Sequence, residues 1–130
     1  MTRNMFFKIA TDPEVDPSKC IVALSCVNQA IKDGHEVNVF FASLAVKLLQ
    51  KEYINTLDER IGTPDGFCME LMGYAVVHAK GVYCSTGSQA AVGVTPDNSE
   101  GIFVEGLNLH WSGPPGVIQL AAASDVQMIY

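Results

Sequence analysis

The chain has 130 residues, the size of one ordinary domain. Fourteen acidic against eight basic residues give a formal net charge of −6, which argues against nucleic acid and an anionic membrane surface as partners. No apolar run is long enough to span a bilayer, and the first residues lack a secretory pattern. We therefore expect a single cytoplasmic domain over residues 1–130.

The first part of the chain predicts a strand–helix–strand unit. The apolar run Met5–Thr11 predicts a buried strand, and Asp16 is a suitable N-cap for a helix over Pro17–Asp33. His35–Phe41 predicts the second strand. Tight connections of this kind predict a right-handed βαβ unit, so the two strands should be parallel.

The rest of the chain continues the alternation. A helix over Ser43–Ile54, with Ser43 as its N-cap, precedes a polar break, and apolar spacing predicts another helix over Phe67–Lys80. The remaining predictions, in chain order, are a strand VYC, one or two helical turns in STGSQAAVG, a fourth strand IFVEGL, a rigid loop NLHWSGPPG, a last helix PPGVIQLAAAS and a terminal strand DVQMIY. This order predicts an α/β fold: a single Rossmann-like domain with a mostly parallel open sheet of about five strands and helices on both faces.

The carboxyl ends of the strands are where an open parallel sheet binds its ligands. The predicted ends lie near Thr11, at Ser43 and at Cys84, and the loop Glu105–Ser112 would follow the fourth strand. Cys84 is therefore the one cysteine expected at this edge. The other three are expected inside helices, where packing is the ordinary role of a cysteine: Cys20, Cys26 and Cys68.

Packing, pocket lining and a working thiol all remain open for Cys84. If STGSQAA begins a helix, the N–H groups of Ser85–Ser88 and the helix dipole face the sulfur and lower the thiol pKa below its ordinary value of about 8.5. The expected shift is modest, which suits a sulfur carrier better than a protease nucleophile, since no local pattern supplies a base and an orienting carboxylate. A working Cys84 would also have to be reachable.

Further side chains are candidates for a pocket at the same edge: Ser43, Ser85, Thr86, Gly87, Ser88, His110 and Trp111. The serine-rich turn offers backbone N–H groups to an anion, with an ordinary turn as the alternative. The histidine and tryptophan are candidates for a pocket lid, with packing as the alternative. No CxxC spacing occurs and no histidine lies near a cysteine at ligand spacing, so we expect no metal site. A sulfur carrier would need no cofactor, and we expect none.

Several segments together resemble the DsrE/DsrF-like sulfur-relay family: FFKIAT, AIKDGHEVNVFF, LAVKLL, GVYCSTGSQAAVGV and VIQLAAASDVQMIY. The resemblance covers nearly the whole chain. It implies a Rossmann-like domain that assembles as a trimer or hexamer, sometimes with paralogous subunits. In active members a cysteine at the end of this central strand carries persulfide sulfur, and Cys84 stands at that position.

Two functions follow as hypotheses. In the first, Cys84 relays persulfide sulfur from a donor protein to an acceptor protein. In the second, the chain is a non-catalytic oligomeric module whose pocket binds a small molecule or a partner. A thiol redox enzyme is disfavoured because no resolving cysteine is adjacent. We also expect a homo-oligomer, because apolar and aromatic side chains lie off the core stripe of the Phe67–Lys80 helix and Trp111 lies in a proline-stiffened loop.

Overall fold

Five parallel strands form the centre of the molecule. The structure is a computed structural model that describes all residues, 1–130. The strands are β1 (Asn4–Ile9), β2 (Glu36–Phe41), β3 (Gly81–Ser85), β4 (Leu109–Ser112) and β5 (Val126–Ile129). They lie in the order β4-β3-β2-β1-β5, and each neighbouring pair is parallel. The predicted open α/β sheet is confirmed.

Helices connect the strands and cover the sheet. They are α1 (Pro17–Lys32), a 3₁₀ helix (Ser43–Leu49), α2 (Lys51–Ile54), α3 (Leu57–Ile61), α4 (Phe67–His78), α5 (Thr86–Ala91) and α6 (Pro114–Ala123). The start of α1 is as predicted, because Asp16 accepts a hydrogen bond from the Lys19 N–H at 3.0 Å. The short turns predicted after β3 form α5.

One face of the sheet, called here the core face, packs against α1 and α4. Alternate strand residues point to this face, as Phe7 and Ile9 of β1 and Val39 and Phe41 of β2 do. They join a continuous cluster of 23 buried side chains. The hydrophobic core therefore lies on this side of the sheet.

The opposite face, called here the α6 face, is covered by a single helix. Phe6 and Phe40 are buried on this face, yet none of the ten residues of α6 is itself buried. The helix approaches the sheet at Gly116, where an added Cβ would overlap the Ser112 side chain. Because α6 contains no charged residue, an uncharged helix surface is left open to its surroundings.

The predicted fourth strand, IFVEGL, is wrong. Within it only Phe103 forms a bridge, an isolated antiparallel one with Gln50. Gly101 and Gly106, each with φ of +79°, bend the chain on both sides, so the segment does not run straight. Strand β4 forms instead from Leu109–Ser112, inside the predicted rigid loop.

The predicted Ser43–Ile54 helix is also wrong in its detail. The segment breaks at Gln50, whose extended backbone separates the 3₁₀ helix from α2. Ser43 is not an N-cap: it is the first residue of the 3₁₀ helix and has φ of +53°, while Ala42 precedes it without a capping side chain.

The predicted polar break contains a buried carboxylate that fastens the loop before α4. Asp58 lies in α3 and is 2% exposed. It accepts hydrogen bonds from the Thr63 hydroxyl at 2.7 Å and from the N–H groups of Gly66 and Cys68, each at 3.0 Å. Gly66, the N-cap residue of α4, has no side chain to accept a hydrogen bond. The Asp58 carboxylate takes over this role by accepting from the N–H groups at the start of α4.

Candidate functional site

Cys84 lies at the carboxyl edge of β3, but its side chain belongs to the core face. It is fully buried, and in the sheet register it stands between Phe41 of β2 and Trp111 of β4. Burial raises the pKa of the thiol to about 11, and the neighbouring Gln89 side chain opposes only part of that effect. The expectations of a reachable thiol and a lowered pKa are therefore wrong for this conformation.

The strand geometry and the short α5 explain this difference. Successive strand residues point to opposite faces, so Cys84 faces the core while Ser85 faces α6. Helix α5 has only six residues, and the Ser88 N–H is already donated to Ser85 Oγ at 3.1 Å. The turn therefore caps itself, and no backbone N–H of α5 is donated to the sulfur.

Ser43 and the serine-rich turn do lie together at the carboxyl edge. The Ser43 N–H donates to Ser88 Oγ at 2.9 Å, which links the ends of β2 and β3. Thr86 and Gly87 are exposed at the start of α5. The N–H groups of Ser43 and Ser88 are therefore already donated to hydroxyl oxygens of this edge.

The structure separates His110 from Trp111. Both lie in β4, so they point to opposite faces of the sheet. The His110 ring lies on Tyr83 with ring centroids 4.9 Å apart, on the α6 face. Trp111 packs against Phe103 at 5.9 Å and against the core cluster. They do not form one lid.

A cavity of about 230 Å³ opens on the α6 face at the carboxyl ends of β1, β2 and β3. Its polar side chains are Lys8 and Ser85. Lys8 is half-buried and takes part in none of the ion pairs of the chain. The remaining lining is mostly apolar: Phe40, Ala42, Gly113, Pro114, Val117 and Ile118.

Of the predicted site residues, only Ser85 lines this cavity. Lys8 was not predicted as a site residue, although the sequence carries a signal: this lysine stands between Phe7 and Ile9, inside the apolar run that begins at Met5. A side chain at that position must point to the face opposite those neighbours. The cavity places the charge at the edge where open parallel sheets bind ligands.

Gln89 is a second residue of the site that was not predicted. It is fully buried in α5, and neither amide atom has a hydrogen-bond partner. The Cys84 thiol is the polar group beside it. A buried amide without a hydrogen-bond partner carries a desolvation cost. Gln89 and Cys84 therefore form a polar pair inside an otherwise apolar core.

The other cysteines do not form a thiol site. All four are free. Burial is the main cause that raises the pKa of Cys20 to about 11 and of Cys68 to about 12. Cys26 is half-buried beside the Tyr130 hydroxyl. No group of three or more His, Cys, Asp or Glu side chains converges as a metal site.

Comparison with known proteins gives a match at the level of the fold. The crystal structure of the ychN protein from E. coli, a DsrE-like fold, matches with a TM-score of 0.72 over 98% of this chain and 99% of that chain, at 11% sequence identity. No protein-family model and no curated protein matches the sequence. None of the helices combines the length and apolar character needed to cross a membrane.

Proposed function

We propose that this chain is a self-associating binding module that takes a small carboxylate with an apolar body in the cavity beside Lys8. The Lys8 ammonium carries the proposal, because it is half-buried among apolar walls and has no acidic partner in the chain. A charge in such surroundings gains most from an opposite charge that a ligand supplies.

The cavity lining defines the class of ligand. Lys8 offers a cation, and the Ser85 hydroxyl, whose oxygen already accepts a hydrogen bond, keeps its own proton to donate. Val117 and Ile118 provide apolar contacts. The volume of about 230 Å³ lies below the roughly 300–1,000 Å³ of ordinary ligand pockets, so the ligand has only a few carbon atoms.

Calorimetric titration with isovalerate tests the proposal. We expect the wild type to bind it, and Lys8→Met to weaken binding by about tenfold or more, because one charge-assisted pair is lost. Lys19→Met, which removes an exposed lysine from α1, should leave the affinity unchanged. Equal affinity in the wild type and Lys8→Met, or equal binding of the neutral isovaleramide, would refute the carboxylate site.

The α6 face supports self-association. None of the residues of α6 is buried within one chain, and Ile118 on this helix is 68% exposed. An exposed apolar surface of this kind is typical of contacts between subunits. We place the contact between copies at the exposed part of Ile118, at the rim of the cavity. On α4, by contrast, the rings of Tyr74 and His78 already pack against each other, with their centroids 4.4 Å apart.

A second candidate, a sulfur carrier, is favoured by the unpartnered Gln89 amide beside Cys84. In this candidate α5 moves away, and the Cys84 thiolate attacks the outer sulfur of a donor persulfide. The new Cys84 S–S bond forms as the donor S–S bond breaks, and the donor leaves as a thiolate. An acceptor thiolate then repeats the exchange on Cys84, while the Gln89 amide donates to the charged sulfur.

Incubation with a cysteine desulfurase and cysteine, followed by intact mass measurement, tests this candidate. The carrier hypothesis expects a gain of sulfur on the wild type and on Cys26→Ser, and none on Cys84→Ser. Gln89→Leu should reduce the gain while leaving the fold intact. A wild type without added sulfur, or a gain that survives Cys84→Ser, would exclude the carrier and leave the binding module.

A further inference from the structure

Asn38 is a buried amide in the middle strand of the sheet. It is 8% exposed, it points to the α6 face, and its side chain takes part in none of the side-chain hydrogen bonds of the chain. Its neighbours along β2 are apolar, as is usual for a central parallel strand that is covered on both faces. No group within the chain pairs with this amide, which lines a cavity beside the sheet.

Asn28 provides the internal comparison. It is 5% exposed in α1, and its amide donates to the carbonyls of Leu24 and Leu71, both at 3.0 Å. The chain thus contains two buried asparagines, one with partners and one without. The partner of Asn38 must therefore come from outside the chain, as water or as a bound ligand.

The Asn38 amide is directed into a polar cavity of about 430 Å³ between α6 and the amino ends of β2 and β3. A Cβ at Gly81 would lie 2.8 Å from Asn38 Oδ1 and 2.7 Å from Tyr83 Cε1, so glycine leaves these two side chains room to stand together. The lining is mainly polar: Asn4, Asn38, Lys80, Tyr83, Gln119, Leu120 and Ala123. Its volume is within the ordinary range for small ligands.

The charges and hydrogen-bonding groups define the ligand. Lys80 is the only charged residue in the lining, and its partner Glu36 stands 3.8 Å away with both side chains more than half exposed. Such an exposed pair is weak, so the ammonium can accept an incoming anion. Asn38 offers both a donor and an acceptor, which match a second amide. Tyr83 adds a hydroxyl.

We infer that this cavity is a second ligand site, which takes a small carboxylate that also bears an amide group. The carboxylate pairs with Lys80, and the amide of the ligand supplies the two hydrogen bonds that Asn38 lacks. The site lies at the opposite end of α6 from the cavity beside Lys8, so it is independent of the function proposed above.

Two substitutions test whether the Asn38 amide lacks a partner in the ligand-free protein. Asn38→Leu should unfold thermally at or above the wild-type midpoint, because it removes a polar group without a partner. Asn28→Leu should lower the midpoint by roughly 4 °C or more, because it removes both hydrogen bonds that the buried Asn28 amide donates. An equal loss in both variants would overturn the inference.

Binding is measured by NMR titration with succinamate, observing the Asn38 side-chain NH₂ signals. We expect saturable shifts with succinamate and responses about tenfold weaker or more with butyrate, which lacks the amide, and with succinamide, which lacks the charge. Tyr83→Phe, which removes one hydroxyl and preserves stacking on Phe40, should weaken succinamate binding and so provides a second variant. No shift with succinamate, or equal shifts with all three compounds, would overturn the inference.

Discussion

The same strands form both faces of the sheet, but the two faces give polar side chains different surroundings. On the core face, α1 and α4 enclose a continuous apolar cluster, and Cys84 is one of its members. On the α6 face a single uncharged helix leaves a cavity near each end, and each contains a polar group without a partner, Lys8 in one and Asn38 in the other. The contrast associates Cys84 with packing and the α6 face with binding.

The largest contrast should appear in thiol reactivity. At neutral pH, we expect iodoacetamide to modify the half-buried Cys26 first. Cys84 should react on the order of a hundredfold more slowly than a free thiol, because a pKa of about 11 leaves little thiolate. Peptide mapping over time measures both rates.

The chain unfolded in guanidinium chloride is the control for this experiment. All four cysteines should then react at similar rates, since their environments become alike. If Cys84 reacts first in the folded protein, the edge beside α5 opens readily. The sulfur-carrier candidate would then displace the binding module as the better account.

The next largest effect concerns the stability of the core face. Asp58→Asn removes the charge that Thr63, Gly66 and Cys68 share, so we expect the free energy of unfolding to fall by about 2 kcal/mol. Asp65→Asn, on an exposed residue of the same loop, should change it by less than about 0.5 kcal/mol. Chemical denaturation measures both, and equal losses would show that the buried hydrogen bonds are not the cause.

The same carboxylate predicts a dependence on pH. Burial alone would raise the pKa of Asp58, but the hydrogen bonds it accepts hold that pKa below its usual range. A carboxyl with a lower pKa in the folded state stabilises the protein above its unfolded value of about 4, and this contribution disappears as the pH falls through the folded pKa. Wild-type stability should therefore decline more steeply in acid than that of Asp58→Asn. Parallel profiles would contradict this assignment.

The fold was predictable where local patterns and long-range pairing agree. Asp16 is the N-cap of α1, as predicted from its side chain. The apolar spacing of Phe67–His78 matches the helix that forms there. Strand β4 was missed because the alternation in LHWS covers only four residues before Gly113 and two prolines, and parallel pairing with β3 selects it. The apolar IFV segment was misassigned because flanking glycines, Gly101 and Gly106, turn the chain away from the sheet.

The candidate site was harder to predict than the fold. Sequence places Cys84 at the correct edge of the sheet, but whether its thiol faces the core or α6 depends on the register of β3, which no local pattern fixes. Lys8 and Asn38 are polar residues with apolar neighbours on both sides in their strands, and only the packing of α6 reveals cavities beside them. Strand alternation would have placed both on the face opposite their apolar neighbours.

The last contrast concerns association and compares two equally exposed apolar residues. Ile118 on α6 is 68% exposed, and Val77 on α4 is 67% exposed. Ile118→Asp should raise the dissociation constant of the assembly by about tenfold, because it introduces a charge into a contact between copies, whereas Val77→Asp should leave it unchanged. Light scattering over a range of protein concentrations measures both variants. If only Val77→Asp weakens the assembly, the contact lies on α4; a single-chain mass for the wild type at every concentration would refute self-association itself.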